Sequence, residues 1–291
     1  MNFKKIICSI PLLCAVFLQN GAYATSNEIH ELKIGDCKVI AVKDTSFEMA
    51  ATLIVNGNPD TLKKYLPDGK TISSVNTFII KNGKQTILVD AGNGASMLTN
   101  LKKVGLTPDS INLILITHGH FDHVSGLIKD GKPVFQKAKV LFSKDEKALY
   151  EDKAIESIPD EYKTYFKASN QVFKIYGDKV GTFAFGDTVA SGVISVDLHG
   201  HTAGQTGYLV ESKGQKLLIA GDFLHISPVQ FPHPEYSLVY DRDPVAAATT
   251  RKLVLDNVTK EKMLVAGMHI PFPGVGTVAL GPVGFVFSPV K

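Results

Sequence analysis

The sequence predicts an α/β fold, with residues 25–291 as a single domain, on three observations. Strand-like and helix-like segments alternate along the chain with no linker composition between them. The apolar run at 112–117 is short and continuous, as in a strand buried on both faces. Polar, Gly-containing loops follow directly on this and later apolar runs, which is where open α/β sheets place their sites. Periodicity alone leaves open whether there is one sheet or two.

In chain order, residues 31–34 and 38–42 read as paired strands, and 76–81 and 85–90 as a second pair around the turn Asn82-Gly83. Helical periodicity runs over 95–104 and ends before the turn at 106–109. After the strand at 112–117, a charged and aromatic stretch carries helices at 145–151 and 160–169. Strands follow at 193–198, 206–211 and 216–220, the last two joined by Ser212-Lys213-Gly214-Gln215. A helix at 244–256 precedes a strand at 263–267. No repeat or low-complexity tract interrupts this order.

The first 24 residues have a different character. Lys4 and Lys5 precede an apolar run from Ile6 to Leu18, and Ala22 and Ala24 offer small residues to a signal peptidase. A secretory signal peptide over 1–24 is expected, since the apolar run is too short for a stable membrane anchor. The protein is then exported, periplasmic or secreted. Cys8 and Cys14 leave with the signal, so Cys37 alone remains and no intramolecular disulfide can form. Losing Lys4 and Lys5 lowers the formal charge of +3 to about +1. Charge therefore selects no partner, and no basic run interleaved with aromatics points to nucleic acid.

The chemistry is concentrated in Thr117-His118-Gly119-His120-Phe121-Asp122-His123. His118, His120, Asp122 and His123 are all good ligands for a borderline metal such as zinc at neutral pH. Packing does not account for three imidazoles and a carboxylate in one tight loop, because buried histidines need partners. His118 and His120, two apart, can point the same way, leaving Asp122 and His123 for a second ion. Three further candidates stand after apolar strands or in Gly-containing turns: His201 in Gly200-His201-Thr202-Ala203-Gly204, Asp222 after Ala220-Gly221, and His269 after Gly267-Met268.

This set resembles the metallo-β-lactamase superfamily, whose signature is a His-x-His-x-Asp-His loop followed by one His, one Asp and one His. The resemblance spans nearly the whole mature chain and implies an αββα sandwich with two metals at one edge. By that resemblance His118, His120 and His201 hold one ion, Asp122, His123 and His269 the other, and Asp222 bridges them. Asp90, in Asp90-Ala91-Gly92, matches the family's Asp-x-Gly turn and is expected to orient a ligand histidine. Residues 210–217, 228–231 and 272–276 resemble the secreted methyl parathion hydrolase branch, near the acyl-homoserine lactonases.

The resemblance implies a hydrolase with two divalent ions, zinc foremost. Ions about 3.5–4 Å apart lower the pKa of a shared water toward neutrality and polarise the bond under attack. A hydroxide bridging the ions would attack a lactone, carboxylic ester or phosphotriester. Hydrolysis of β-lactams is one alternative, and iron-dependent redox chemistry on the same scaffold is another. Asp122 is a candidate proton donor to the leaving group. His225, three residues past Asp222, is a candidate substrate contact. Tyr150, Tyr165, Phe166 and Phe223 are candidates for an aromatic cage over the metals. His199 reads as structural, and His30 and His233 carry no argued role. With no Arg or Lys cluster, the expected partner is a neutral, moderately apolar small molecule. A homodimer is a further expectation from the relatives.

Overall fold

The structure, a computed structural model, describes residues 28–83, 85–151 and 160–290, without the side chains of 160–162 and 164–166. The signal peptide expected at 1–24 lies outside the described residues. The chain opens with β1 (Ile29–Ile34) and β2 (Cys37–Ala50), then α1 (Pro59–Tyr65), β3 (Lys70–Asn82), β4 (Gln85–Val89), α2 (Met97–Lys103) and β5 (Leu113–Leu115). The short helix α3 (Phe121–Val124) leads to the hairpin β6 (Ile128–Lys129) and β7 (Lys132–Pro133). Next come β8 (Lys139–Ser143), α4 (Lys144–Glu151), α5 (Asp160–Tyr176) and β9 (Val180–Phe183). The remainder is β10 (Thr188–Ala190), β11 (Val193–Asp197), β12 (Thr206–Ser212), β13 (Gln215–Ile219), α6 (Ser227–Gln230), α7 (Pro244–Lys260), β14 (Leu264–Ala266), β15 (Val275–Leu280) and β16 (Phe285–Pro289).

Two seven-stranded sheets result, ordered β1-β2-β3-β4-β5-β8-β9 and β10-β11-β12-β13-β14-β15-β16. The first is antiparallel through β4 and parallel from β4 to β9. The second is antiparallel apart from the parallel pair β13 and β14. Side chains on alternate strand positions divide the interior. Phe78, Ile80, Ile87 and Val89 meet Tyr208, Val210, Leu217 and Ile219 between the sheets. Ile79, Leu88 and Ile114 turn outward under Met97, Leu101 and Val172 of α2 and α5. Leu218 and Val265 turn outward under Val254, Leu255 and Val258 of α7. The architecture is an αββα sandwich. Burial on both faces explains why β4 and β5 read as continuous apolar runs.

The long ribbon of β2 and β3 runs well beyond the 38–42 and 76–81 expected from the sequence. Past Lys43 only one face of the ribbon is covered, so the apolar run gives way to alternation, with Phe47 and Met49 inward and Ser46 and Glu48 exposed. Register shifts between Lys43 and Thr45, a bulge that re-aims Asp44 out of the ladder. Asp44 then accepts from the N–H groups of Ser96 (2.8 Å), Met97 (2.7 Å) and Asn93 (2.8 Å), capping α2 from another element. This remote cap starts the helix at Met97 rather than at 95. Helix α1 has no counterpart among the elements expected from the sequence; there Asn58 Oδ1 accepts from Asp60 and Thr61 N–H and Pro59 occupies the first turn. Strands β8, β9, β10, β15 and β16 are likewise additional to those expected. Among the described residues no helix is long and apolar enough to cross a membrane.

Candidate metal centre

The site forms where the parallel pairs end. Asp90 follows β4, the histidine loop follows β5, Asp222 follows β13 and His269 follows β14, while His201 sits between β11 and β12. Asp90 takes a φ of 55°, which turns the chain sharply so that its carboxylate faces the next strand. Its Oδ1 accepts from Thr117 N–H at 2.8 Å and its Oδ2 from the Thr117 hydroxyl at 2.7 Å. The same Oδ2 lies 2.7 Å from His123 Nδ1. A carboxylate only accepts, so His123 carries its proton on Nδ1 and aims the Nε2 lone pair inward.

The same reasoning fixes three more rings. Thr117 donates to Asp90, so its oxygen accepts from His118 Nδ1 at 3.1 Å. Asp241 Oδ1 accepts from His201 Nδ1 at 3.0 Å, and the Ser74 carbonyl from His269 Nδ1 at 2.8 Å. All four therefore present Nε2 lone pairs to one small volume. His120 Nδ1 lies 3.0 Å from both His118 Nε2 and His201 Nε2. His269 Nε2 lies 3.0 Å from Asp222 Oδ2 and 3.3 Å from Asp122 Oδ2. His123 Nε2 and Asp222 Oδ1, 3.2 Å apart, are buried without a hydrogen-bond partner.

Lone pairs and carboxylate oxygens converging in a buried space repel unless positive charge lies between them. Protons partly meet that demand. Burial opposes protonation of His269, yet Asp222 and Asp122 outweigh it and push its pKa up to about 10. Burial would likewise raise Asp222, but His123, His269, His225 and His118 hold its carboxyl well below the usual range. The residues fit metal ions better than protons. His118, His120 and His201 form one set whose ligand atoms lie within 4.8 Å of one another, and Asp122, His123 and His269 form another. Asp222 joins sets with His118 and His123 and with His201 and His225. All seven expected ligands are thus brought together.

His225 belongs to the same cluster. Its Nε2 is 3.0 Å from Asp222 Oδ2, and its ring stacks on His269 at 4.7 Å with 19° between planes. Burial pushes its pKa down to about 4 against the pull of Asp222, so at neutral pH the ring is uncharged and donates to that carboxylate. A cavity of about 550 Å³ opens at the cluster, its apolar lining drawn from Phe47, Met49, Val75, Phe121, Val239 and Tyr240.

Two of the four aromatics expected to cage the metals, Tyr150 and Phe223, do not reach the cavity. Tyr150 lies under Gly119, where a Cβ on that glycine would come within 2.4 Å of its hydroxyl, and Phe223 packs in the core beneath α7. Neither lines the cavity; Phe47, Phe121 and Tyr240 do. The side chains of Tyr165 and Phe166 lie outside the described residues. His199 is at the surface beside Asp197 (2.9 Å) and His233 beside Glu235 (3.0 Å), both away from the site. Sequence reasoning missed Asp44, Glu146 and Asp241. Each is a buried acid with at least one partner tens of residues away in the chain, a contact that local spacing does not mark.

Residues 71–269, more than half of the chain, match the family model of the metallo-beta-lactamase superfamily. The chain belongs to that superfamily. It is similar over 92% of its length, at 30% identity and a TM-score of 0.83, to a crystal structure described as hydrolase AbOPH in the beta lactamase superfamily, 99% of which is covered. A dizinc quorum-quenching lactonase, AidC, solved in complex with a product, has the same fold at 24% identity and a TM-score of 0.83, covering 90% of this chain and 97% of that one. Matches to curated sequences are local. Exodeoxyribonuclease WalJ of Streptococcus pneumoniae is 39% identical over 56 residues, 19% of this chain and 21% of that protein. The beta-lactamase-like protein 2 homolog of Caenorhabditis elegans is 33% identical over 94 residues, 31% of this chain and 29% of that protein. The chain thus spans less than a third of either relative.

Proposed function

We propose that this protein hydrolyses a small, neutral, ester-like substrate, a lactone, carboxylic ester or phosphotriester, with two divalent metal ions, zinc foremost. One observation carries the reading: two ligand triads meeting at Asp222 lie at the floor of a cavity with largely apolar walls. His118, His120 and His201 would hold one ion, Asp122, His123 and His269 the other, with Asp222 between them. When bound, the ions would supply Lewis acidity and a water acidic enough to lose a proton near neutral pH.

The protein's own groups do the rest. Asp90, Asp241 and the Ser74 carbonyl lock the ring tautomers, which keeps the ligand lone pairs aimed inward through turnover. Asp122 faces the cavity and is the group we assign to carry a proton to the leaving oxygen. His225, also in the cavity wall, would contact the substrate while its Nε2–H restrains Asp222. Phe47, Met49 and Val75 would shelter an apolar arm of the substrate and exclude water around the reacting bond. Among the described residues a single arginine, Arg242, and no lysine line the cavity, in keeping with a neutral substrate.

A panel assay on zinc-loaded protein tests the reading, using an acyl-homoserine lactone, an aryl ester, a phosphotriester and nitrocefin. Turnover of at least one of the first three, abolished by a chelator and restored by zinc, is expected. Hydrolysis of nitrocefin alone would replace the ester reading with β-lactam hydrolysis, and two bound irons with oxygen consumption would replace it with redox chemistry. We also propose export after cleavage at Ala24, which N-terminal sequencing of the protein recovered from the medium or periplasm checks.

A further inference from the structure

The three imidazoles of the first triad come from two separate loops, which meet where Thr206 N–H donates to the Thr117 carbonyl at 2.8 Å and where His120 Nδ1 lies 3.0 Å from His201 Nε2. A single carboxylate also joins them. Glu146, on α4 and 1% exposed, accepts through Oε1 from Gly119 N–H at 2.8 Å. Its Oε2 accepts from the Thr202 hydroxyl at 2.6 Å and from Gly204 N–H at 3.1 Å. Gly119 lies between His118 and His120, and Thr202 directly follows His201. Glu146 therefore reaches both loops and touches none of the rings.

The surroundings hold this carboxylate in place. Glu146 N–H donates to Ser143 Oγ at 3.0 Å, and the Ser143 hydroxyl donates to the Gly204 carbonyl at 2.7 Å. The Ser169 hydroxyl on α5 donates to the Gly119 carbonyl at 2.7 Å, so both backbone groups of Gly119 are held from the α4 and α5 side. A Cβ on Gly204 would stand 2.0 Å from Glu146 N, so that loop approaches α4 as closely as glycine permits. A carboxylate buried this deeply is costly unless hydrogen-bonded, and three donors meet it here. Such a feature, placed away from the cavity, fits a purpose at the metal site.

We propose that Glu146 is a positioning residue that sets the spacing of His118 and His120 against His201, and so the metal affinity of the first triad but not of the second. The inference rests on the reading of these triads as two metal sites. The geometry demands both carboxylate oxygens. In Glu146→Gln one oxygen becomes an NH2 group, which meets the Gly119 N–H, or the Gly204 N–H, donor against donor. One loop is then released.

The test isolates each site in the full-length mature protein. His269→Ala leaves the first triad intact, and His201→Ala leaves the second. Zinc affinity is measured in both backgrounds, with and without Glu146→Gln, by competition with a chromophoric chelator. We expect zinc to bind about tenfold or more weaker in the His269→Ala background, as for other residues that orient metal ligands, and less than about twofold weaker in the His201→Ala background. Equal losses in both backgrounds, or none, would overturn the inference. Thr202→Val removes only the hydroxyl donor and should show the same asymmetry to a smaller degree, which keeps the test decisive if the glutamine variant does not fold. Wild-type protein that fails to bind two zinc ions would overturn the two-ion reading itself.

Discussion

His225 is the side chain whose chemistry depends most on its surroundings. Uncharged at neutral pH, it offers one N–H to Asp222 and lies over the His269 ring in the cavity wall. His225→Ala should retain two zinc ions per chain yet lose about tenfold or more in kcat, within the range a positioned hydrogen-bonding or proton-handling group contributes. Unchanged kcat on the best panel substrate would remove it from the mechanism. Asp122 differs, because the proposed mechanism gives it two roles, ligand and proton carrier. Asp122→Asn keeps an oxygen for the metal but cannot take up a proton, so metal content should fall less than turnover, and full turnover with full metal would refute the proton role. All seven ligand candidates and Asp90 were readable from the sequence, since each stands in a short polar turn after an apolar run. Asp44, Glu146 and Asp241 were not, because each takes donors from elements far along the chain. Tyr150 was misplaced for a related reason: a helical position says nothing about which face meets the cavity.

At the level of elements, α7 positions His201. Asp243 caps the helix through Val245 and Ala246 N–H, and its own N–H donates to the Gly200 carbonyl at 2.9 Å. Gly200 has a φ of 135°, and a Cβ there would lie 2.3 Å from Ala247 N. Gly200→Ala should therefore push the helix away and destabilise the protein by about 2 kcal/mol or more, from backbone strain plus the clash. Equilibrium unfolding in urea measures it. From the same helix the fully buried Arg251 donates to the carbonyls of Phe223 (2.6 Å), Pro234 (2.8 Å) and Tyr236 (2.9 Å) and lies 3.4 Å from Asp241. Arg251→Leu would strip the guanidinium from the Phe223 and Pro234 carbonyls and from Asp241, a loss of about 3–5 kcal/mol. A midpoint shift too small for that loss would show that water replaces the guanidinium. The helix itself was legible over 244–256 from its periodicity. Its packing on the His201 loop was not, since that depends on a glycine approach visible only in three dimensions. The ribbon of β2 and β3 was half legible, because its outer part has one bare face and abandons the apolar run that marks the rest.

For the molecule as a whole, the two sheets divide the site between them. His118, His120, Asp122 and His123 follow a strand of the first sheet, while His201, Asp222 and His269 belong to loops of the second. Alternation of strands and helices could not reveal this division, which follows from the pairing order and from the apolar layer shared by both sheets. Each triad draws ligands from both halves, so a bound ion exists only where the sheets are docked, and its binding free energy adds to the stability of the sandwich. At a free zinc concentration a thousand times Kd the gain is about 4 kcal/mol for one site. For a chain of this size each kcal/mol moves Tm by about 2–4 °C. Removing the metal with a chelator should therefore lower Tm by about 8–16 °C for each site emptied, and adding zinc back should restore it. The urea m-value should stay unchanged, because the surface exposed on unfolding is the same. A chelated protein that melts where the zinc-loaded one does would mean that packing alone closes the two sheets over the site. A chelated protein with a reduced m-value would mean that the loops between the sheets open first, and that the ions fasten those loops rather than the sandwich.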